Sequence, residues 1–374
     1  MKKTLLITLE YPPFIGGVAN HLVNIVRQFS VDKIVVLANK QTEDDLNFDK
    51  QEKYKIIRTD FFSHLPIWPK WLFLYFKIKK IVKFEKIEQI FVGQILPLGT
   101  LAMLSRLPFV VMTYSMDLKI IKNCPRKVRL VKRIIKKAQA LIANSDYTKD
   151  LLVNYGAIPG KVVVSYPCAS IENLDLDLQN IQNFKNKYNP ENKKILLTTG
   201  RLVKRKGVDM VLYSLKKVIE QVPDVLYLIG GTGEYEEKLR QLAHELRLDE
   251  HIKFIGYVDE DELPYLYNLA DVFTMASREL ANGDVEGFGI VFLEANLYGK
   301  PVIGGDSGGV SSAVKDNYSG LLVNPESKEE ISAAIVKILT NPELAAKLGR
   351  QGRERALSEF QWPVQAKKII DILE

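Results

Sequence analysis

The sequence predicts an α/β protein made of two doubly wound, Rossmann-like domains, and three observations carry that prediction. Short apolar runs recur along the 374 residues with helical periodicity between most of them. That alternation implies a mainly parallel sheet covered on both faces. The alternation lapses from Ile171 to Glu191, a polar stretch rich in Asn, Asp and Gln, and then resumes. In each half the first strand runs into a glycine-bearing loop and then a helix, the opening unit of such a sheet. The length suits two domains, placed at residues 1–175 and 192–357 on either side of a linker.

In the first half, Thr4 to Thr8 reads as a strand. It ends in Glu10-Tyr11-Pro12-Pro13-Phe14-Ile15-Gly16-Gly17-Val18. From Ala19 to Phe29 the spacing of Leu22, Val23, Ile25, Val26 and Phe29 reads as a helix. Gly16 and Gly17 either let a ligand approach the backbone or simply make a tight turn. Strand-like runs follow at Lys33–Leu37, Ile56–Thr59, Gln89–Val92, Phe109–Thr113, Leu141–Asn144 and Val162–Tyr166. The second half predicts strands at Lys194–Thr199, Val225–Gly230, Ile252–Phe254, Val272–Met275, Pro301–Gly304 and Gly320–Val323, with helices between them. Two such domains leave ligand space at the carboxyl ends of their strands.

The net charge of +7 is unevenly placed. Residues 1–190 hold 29 Lys+Arg against 16 Asp+Glu, and residues 191–374 hold 23 against 29. A basic first half suggests a polyanionic partner. Two segments concentrate the charge. Trp68 to Lys83 interleaves aromatics with lysines, as interfacial helices do. Lys119 to Lys137 carries nine basic residues and no acidic one. Each is either a solvated helix face or a contact with an anionic membrane. No nucleic-acid motif accompanies the charge, which argues against that partner. Cys124 and Cys168 have no metal-like neighbourhood, and a reducing, cytoplasmic compartment is the simplest expectation. The start, Met1-Lys2-Lys3 and the apolar residues after it, falls short of a signal peptide. No window approaches the ~20 apolar residues of a membrane span.

Two stretches carry chemistry. In Asp284-Val285-Glu286-Gly287-Phe288-Gly289-Ile290, a glycine turn runs into an apolar helix that holds Glu294 about one turn in. The first-turn amides of a helix lack intrahelical partners and make an anion site. A carboxylate behind them could take ribose hydroxyls, although the same turn could be scaffold. The second stretch, Gly200-Arg201-Leu202-Val203-Lys204-Arg205-Lys206-Gly207, sits at the carboxyl end of the second domain's first strand. Its cations suit a diphosphate: Arg201 as a fork, Lys206 as a point charge. Asp175-Leu176-Asp177 and Asp259-Glu260-Asp261 have metal-diphosphate spacing but read as turn and cap residues, so no metal site is predicted.

Together, Gly-Arg-Leu…Lys-Gly at 200–207, Gly230-Gly231-Thr232-Gly233, Phe254-Ile255-Gly256-Tyr257-Val258, Glu286 with Glu294, and Gly299-Lys300-Pro301-Val302 with Gly308-Gly309 resemble the family-4 retaining glycosyltransferases of the GT-B fold. In the first half, Pro12-Pro13-Phe14-Ile15-Gly16-Gly17-Val18 and Ala143-Asn144-Ser145-Asp146-Tyr147-Thr148 match as well. The pattern is most similar to bacterial phosphatidylinositol-mannoside mannosyltransferases.

The resemblance implies a metal-independent hexosyltransferase with no cofactor beyond its substrate, a GDP- or UDP-linked sugar. Its acceptor would be a hydroxyl on a lipid-linked or glycan molecule. Arg201, Lys206, Glu286 and Tyr114 would form the catalytic group. Gly17, Gly231, Val258, Gly287, Phe288, Gly289, Ile290 and Glu294 would join Arg201, Lys206 and Glu286 around the donor. Gly16, Gly17, Tyr114 and Asp117 would face the acceptor. The closing segment, about 358–374, would pack back on the first domain. The enzyme would work in the cytoplasm, at the inner face of the plasma membrane.

One position departs from the family pattern. Thr113-Tyr114-Ser115-Met116-Asp117 puts Tyr114 where the family usually has His, or Ser115 in a shifted alignment. Tyrosine can hydrogen-bond a sugar hydroxyl but carries no charge near neutral pH. Two other functions compete with transfer: a nucleotide-sugar epimerase, and a non-catalytic membrane-surface module with a degenerate sugar site. The epimerase would need an acid–base pair, and His21, His64, His244 and His251 fall in no evident motif.

Overall fold

The computed structural model describes residues 1–14, 16–40, 44–62, 69–170 and 174–374. The chain divides into two compact units, 1–167 with 362–374, and 168–361.

The first unit has seven parallel strands: β1 (Thr4–Thr8), β2 (Ile34–Asn39), β3 (Lys55–Thr59), β4 (Gln89–Val92), β5 (Phe109–Thr113), β6 (Ala140–Ala143) and β7 (Val162–Val164). Their order is β3-β2-β1-β4-β5-β6-β7. The second unit has six: β8 (Lys194–Thr199), β9 (Val225–Gly230), β10 (Ile252–Gly256), β11 (Val272–Met275), β12 (Val302–Gly305) and β13 (Gly320–Val323), in the order β10-β9-β8-β11-β12-β13. Every strand pairing is parallel. Both sheets are doubly wound, as predicted. In each, strand order reverses beside the first strand, between β1 and β4 and between β8 and β11. Loops leaving such a point are splayed apart and leave room for a ligand.

Strand composition follows from burial on both faces. All five residues of β1 are buried, and so are all four of β4, β11 and β12. A strand covered on both sides has no reason to alternate polar with apolar. The first unit's core has two layers, one around Leu5, Ile7, Val35 and Val111, the other around Leu6, Val36, Phe91 and Met112. The helix Trp362–Leu373 belongs to the second layer through Ala366, Ile369 and Leu373. Gln89 Nε2 donates to its Leu373 carbonyl at 2.6 Å, and the Tyr166 amide donates to Gln365 Oε1 at 3.0 Å. Chain termini tied down in this way resist fraying.

The basic segment is broken in two. A short helix, Ser115–Lys119, is followed by Pro125–Lys137. The longer helix buries Val131, Ile134 and Ile135 and leaves Arg126, Lys127, Arg129, Lys132, Arg133, Lys136 and Lys137 exposed. In the aromatic–lysine segment a helix spans Leu72–Glu85; Trp68 lies outside the described residues. The polar stretch read as a linker holds the helix Leu178–Tyr188, capped by Asp177, whose carboxylate accepts from the Asn180 amide at 2.9 Å. That helix packs on Leu263–Leu269, with Phe184 stacked on Tyr265 at 5.0 Å. One aromatic pair was too sparse a pattern to announce a helix among so many polar residues.

Candidate active site

The site of the second unit forms where loops leave β8 and β11, on either side of the reversal. After β8 the chain makes a 3-10 turn, Lys204–Lys206, which ends at Gly207 in the left-handed region. A side chain at Gly207 would put its Cβ 1.8 Å from the Ala276 carbonyl oxygen, so only glycine lets the two loops approach this closely. The Arg278 amide donates to the Arg205 carbonyl at 2.8 Å and ties the loops a second time.

Across this junction Lys206 Nζ lies 2.6 Å and Arg205 Nη1 2.5 Å from Glu286 Oε2. Arg205 also reaches Asp284, Nε to Oδ1, at 3.2 Å. These side chains are shielded: 13% of Arg205, 13% of Lys206 and 12% of Glu286 remains exposed. Burial by itself would raise the Glu286 carboxyl. Lys206 and then Arg205 outweigh it and hold the group at about 2. Opposite charges at hydrogen-bond distance in a poorly solvated site favour the ionised form.

Beyond Glu286 the chain passes Gly287 and Phe288 to Gly289, whose φ of 94° starts the helix Ile290–Leu297. No side chain caps that N-terminus. The turn is braced from below by the Gly309 amide, which donates to the Glu286 carbonyl at 2.8 Å. A Cβ on Gly309 would sit 2.0 Å from the Gly287 oxygen. Phe288 is buried against Phe360, ring centroids 5.8 Å apart. Gly287, Phe288, Gly289 and Ile290 therefore form one fixed turn with amides at its mouth.

Glu294 sits one turn into the helix. It accepts from the Tyr267 hydroxyl at 2.6 Å, and Tyr267 is 2.8 Å from Thr199 Oγ1 and stacked on Tyr298. Burial raises its carboxyl, against the Tyr267 hydrogen bond and the charge of Lys206. Lys206 thus acts on both glutamates. Arg201 is exposed, and its guanidinium makes no ion pair among the described residues. Gly231, with φ of 123°, packs so close to Gly200 that a Cβ would stand 1.9 Å from its oxygen. Val258 lies beside Gly230, 3.1 Å from where that residue's Cβ would be. Gly231 thus lies against the loop after β8.

In the first unit Gly16 is the N-cap of the helix Gly17–Val26, and its φ of 179° is ordinary extended backbone. A Cβ on Gly16 would press on the Phe14 ring at 2.9 Å, whereas one on Gly17 would meet nothing within 4 Å. Nothing within the described chain demands glycine at 17. Tyr114 follows β5 as the N-cap of the helix Ser115–Lys119, and its amide donates to Asp117 Oδ2 at 3.0 Å. Its ring lies edge-on to His21 at 6.0 Å, and His21 is 5.7 Å from Trp362. Burial pushes the Asp117 carboxyl up to about 7, with Glu10 adding to the shift and the Tyr114 amide opposing it. Burial lowers His21 to about 3.

Three residues of this geometry were missed in the sequence. Arg205 was one cation among four, with nothing to set it above its neighbours. Tyr267 lies on another helix, 27 residues before Glu294. His21 had a signal, four residues after Gly17 on the helix that the glycines open, but its contact with Tyr114 joins elements far apart in the chain. Among the described residues no group of three His, Cys, Asp or Glu could hold a metal ion.

A fold of two doubly wound units, with cations, an uncapped helix mouth and paired glutamates at a strand-order reversal, defines a nucleotide-handling transferase. Two family models match in succession: "Glycosyltransferase Family 4" over residues 15–173 and "Glycosyl transferases group 1" over residues 180–355. The chain belongs to the family-4 glycosyltransferases of the GT-B fold. It is an enzyme of the hexosyltransferase class that takes its sugar, with retention, from a nucleotide-sugar donor. It is similar to the GDP-mannose-dependent alpha-(1-6)-phosphatidylinositol monomannoside mannosyltransferase of Mycobacterium tuberculosis, at 29% identity across all of this chain and 98% of that protein. The GDP-mannose-dependent monoacylated alpha-(1-6)-phosphatidylinositol monomannoside mannosyltransferase of Corynebacterium glutamicum is 28% identical over the same shares. Among solved structures, Anabaena HepE in complex with UDP superposes with a TM-score of 0.84 at 19% identity over 99% of both chains. Neither the epimerase nor the non-catalytic alternative finds support in these relatives.

Proposed function

We propose that this chain transfers mannose from GDP-mannose to a hydroxyl of an inositol-type glycolipid. The observation that carries the reading is the end-to-end match to mannosyltransferases of that class, on a chain whose Lys206 and Glu286 meet at 2.6 Å. In this reading Lys206, Arg201 and the amides around Gly289 and Ile290 neutralise the diphosphate as the bond from sugar C1 to its oxygen breaks. Fixed donors aimed at developing charge make a large contribution to such reactions. The acceptor oxygen bonds C1 on the face the diphosphate leaves, and the acceptor's proton is released. No step needs a metal. Glu286 holds sugar hydroxyls and Glu294 the ribose. Gly231 and Val258 lie beside the base. Gly17 leaves room for phosphate, and Gly16, Tyr114 and Asp117 face the acceptor. Tyr114 takes the place of the family's usual His as a neutral hydrogen-bonding group.

The first unit's surface supports an enzyme that works on an anionic membrane at the cytoplasmic face. On the helix Leu72–Glu85, Phe73, Phe76 and Phe84 are 49%, 59% and 79% exposed among lysines. Every Lys and Arg of the helix Pro125–Lys137 is exposed to solvent. Each cation near an anionic bilayer contributes about 1 kcal/mol. Among the described residues no helix is long and apolar enough to cross a membrane.

The test is a thermal-shift panel of nucleotide sugars, followed by transfer to phosphatidylinositol mannoside in vesicles. A ligand that binds only the folded state raises the melting temperature. GDP-mannose should give the largest rise. A larger rise with UDP-glucose would overturn the donor assignment, and transfer only to soluble glycans would overturn the acceptor.

A further inference from the structure

Both cations of the second unit's site rest on the same oxygen. Lys206 Nζ and Arg205 Nη1 converge on Glu286 Oε2, and Oε1 accepts no hydrogen bond among the described residues. The two cations differ in how they are held. Among the described residues the Lys206 ammonium pairs with Glu286 and no other carboxylate. Arg205 bridges Glu286 and Asp284, and its carbonyl accepts from the Arg278 amide. With Asp284 the cluster is neutral, two cations against two carboxylates.

A diphosphate entering this site must draw on Lys206, a point charge on a flexible stem. If Lys206 alone held Glu286, its departure would leave a shielded carboxylate unpaired, which is costly. Arg205 prevents that. Its planar fork spans two carboxylates whose loop it also meets through the backbone, so it can stay when Lys206 leaves. We propose that Arg205 is the positioning residue of the donor site: it keeps Glu286 in place, aimed at the sugar hydroxyls, while Lys206 exchanges from Glu286 to the donor's diphosphate. This rests on the donor reading above, and it assigns to Arg205 a role distinct from phosphate binding.

The experiment compares GDP with GDP-mannose by calorimetry from pH 5 to pH 8, so that the ratio of affinities isolates what the sugar adds. Wild type should show a sugar gain that is flat with pH. Arg205→Gln should bind GDP within about threefold of wild type yet lose about tenfold of the sugar gain, the scale of a charged hydrogen bond. The remaining gain should shrink further toward pH 5, as a less firmly held Glu286 takes up a proton. Arg205→Lys should restore a flat profile and part of the gain. Lys206→Gln should instead weaken GDP itself. An unchanged sugar gain in Arg205→Gln, or an equal loss for GDP and GDP-mannose, would overturn the proposal.

A ligand-free arm separates this from the donor reading. The Glu286 carboxyl, followed by carbon-13 NMR between pH 3 and pH 7, should keep its proton to higher pH in Arg205→Gln than in wild type, and Arg205→Lys should bring it back down. An unmoved carboxyl in Arg205→Gln overturns the role of Arg205. Failure of wild type to bind either nucleotide, with that shift intact, overturns only the donor reading.

Discussion

Two carboxylates, each just beyond a parallel strand, meet opposite fates in the two units. Glu286, after β11, is shielded from water but faces Lys206 and Arg205, and it is held at about 2. Asp117, after β5, is also buried, yet its near neighbours are the Tyr114 and Ile95 backbones and the acid Glu10, and it rises to about 7. The fold is nearly the same and the desolvation acts in the same direction. The difference is whether a cation stands within hydrogen-bond reach. One unit therefore presents a fixed anion. The other presents a carboxyl that holds its proton up to neutrality.

The largest effect should come from removing what makes Glu286 unlike Asp117. Lys206→Ala should cut release of nucleotide from the donor by roughly 10²–10³-fold, as the loss of one fixed transition-state donor does. It should also raise the Glu286 carboxyl toward the ordinary range. Steady-state turnover with a circular dichroism check of folding reads this, and wild-type turnover would end the diphosphate role.

Next is the pH dependence of stability, where the two carboxylates act with opposite sign. Asp117 binds its proton more tightly folded than unfolded, so its contribution is complete below the unfolded value near 3.8 and is lost as pH rises through about 7. Glu286 contributes fully above 4.5, and that contribution is lost as pH falls toward about 2. Asp117→Asn keeps an acceptor for the Tyr114 amide, so it should flatten the fall in melting temperature between pH 4 and pH 7. An unaltered slope would show that Asp117 is not the group responsible.

Tyr267→Phe removes the hydroxyl between Thr199 and Glu294. It should weaken GDP binding by about fivefold, near 1 kcal/mol for one hydrogen bond, with less effect on the sugar gain than Arg205→Gln has. Equal effects would mean that the two glutamates are not held separately. The smallest change in stability should follow Gly17→Ala, whose added methyl meets no atom of the chain within 4 Å. Melting should move by no more than about 0.5 kcal/mol of stability, while donor turnover falls. Unchanged turnover would remove Gly17 from the donor's path.

The fold was legible because it is written in local patterns. Continuous apolar strands such as Leu5-Leu6-Ile7, and helices whose apolar residues share a face, follow from burial on both sides of a parallel sheet. The chain's own order of residues also determined the glycine turn before Ile290, the placing of Glu294 one turn into the helix, and the cluster of cations after β8. Each lies within a few residues of its neighbours. Only the tertiary structure decided which cation meets which carboxylate. Arg205 and Lys206 lie about eighty positions from Glu286, and Arg201, singled out in the sequence, makes no ion pair among the described residues. The pairings Tyr267 with Glu294 and His21 with Tyr114 were hidden for the same reason. An ion pair depends on where the β8–β11 junction brings two loops, and on how much water it removes from between them, and neither quantity is encoded at any one position of the chain.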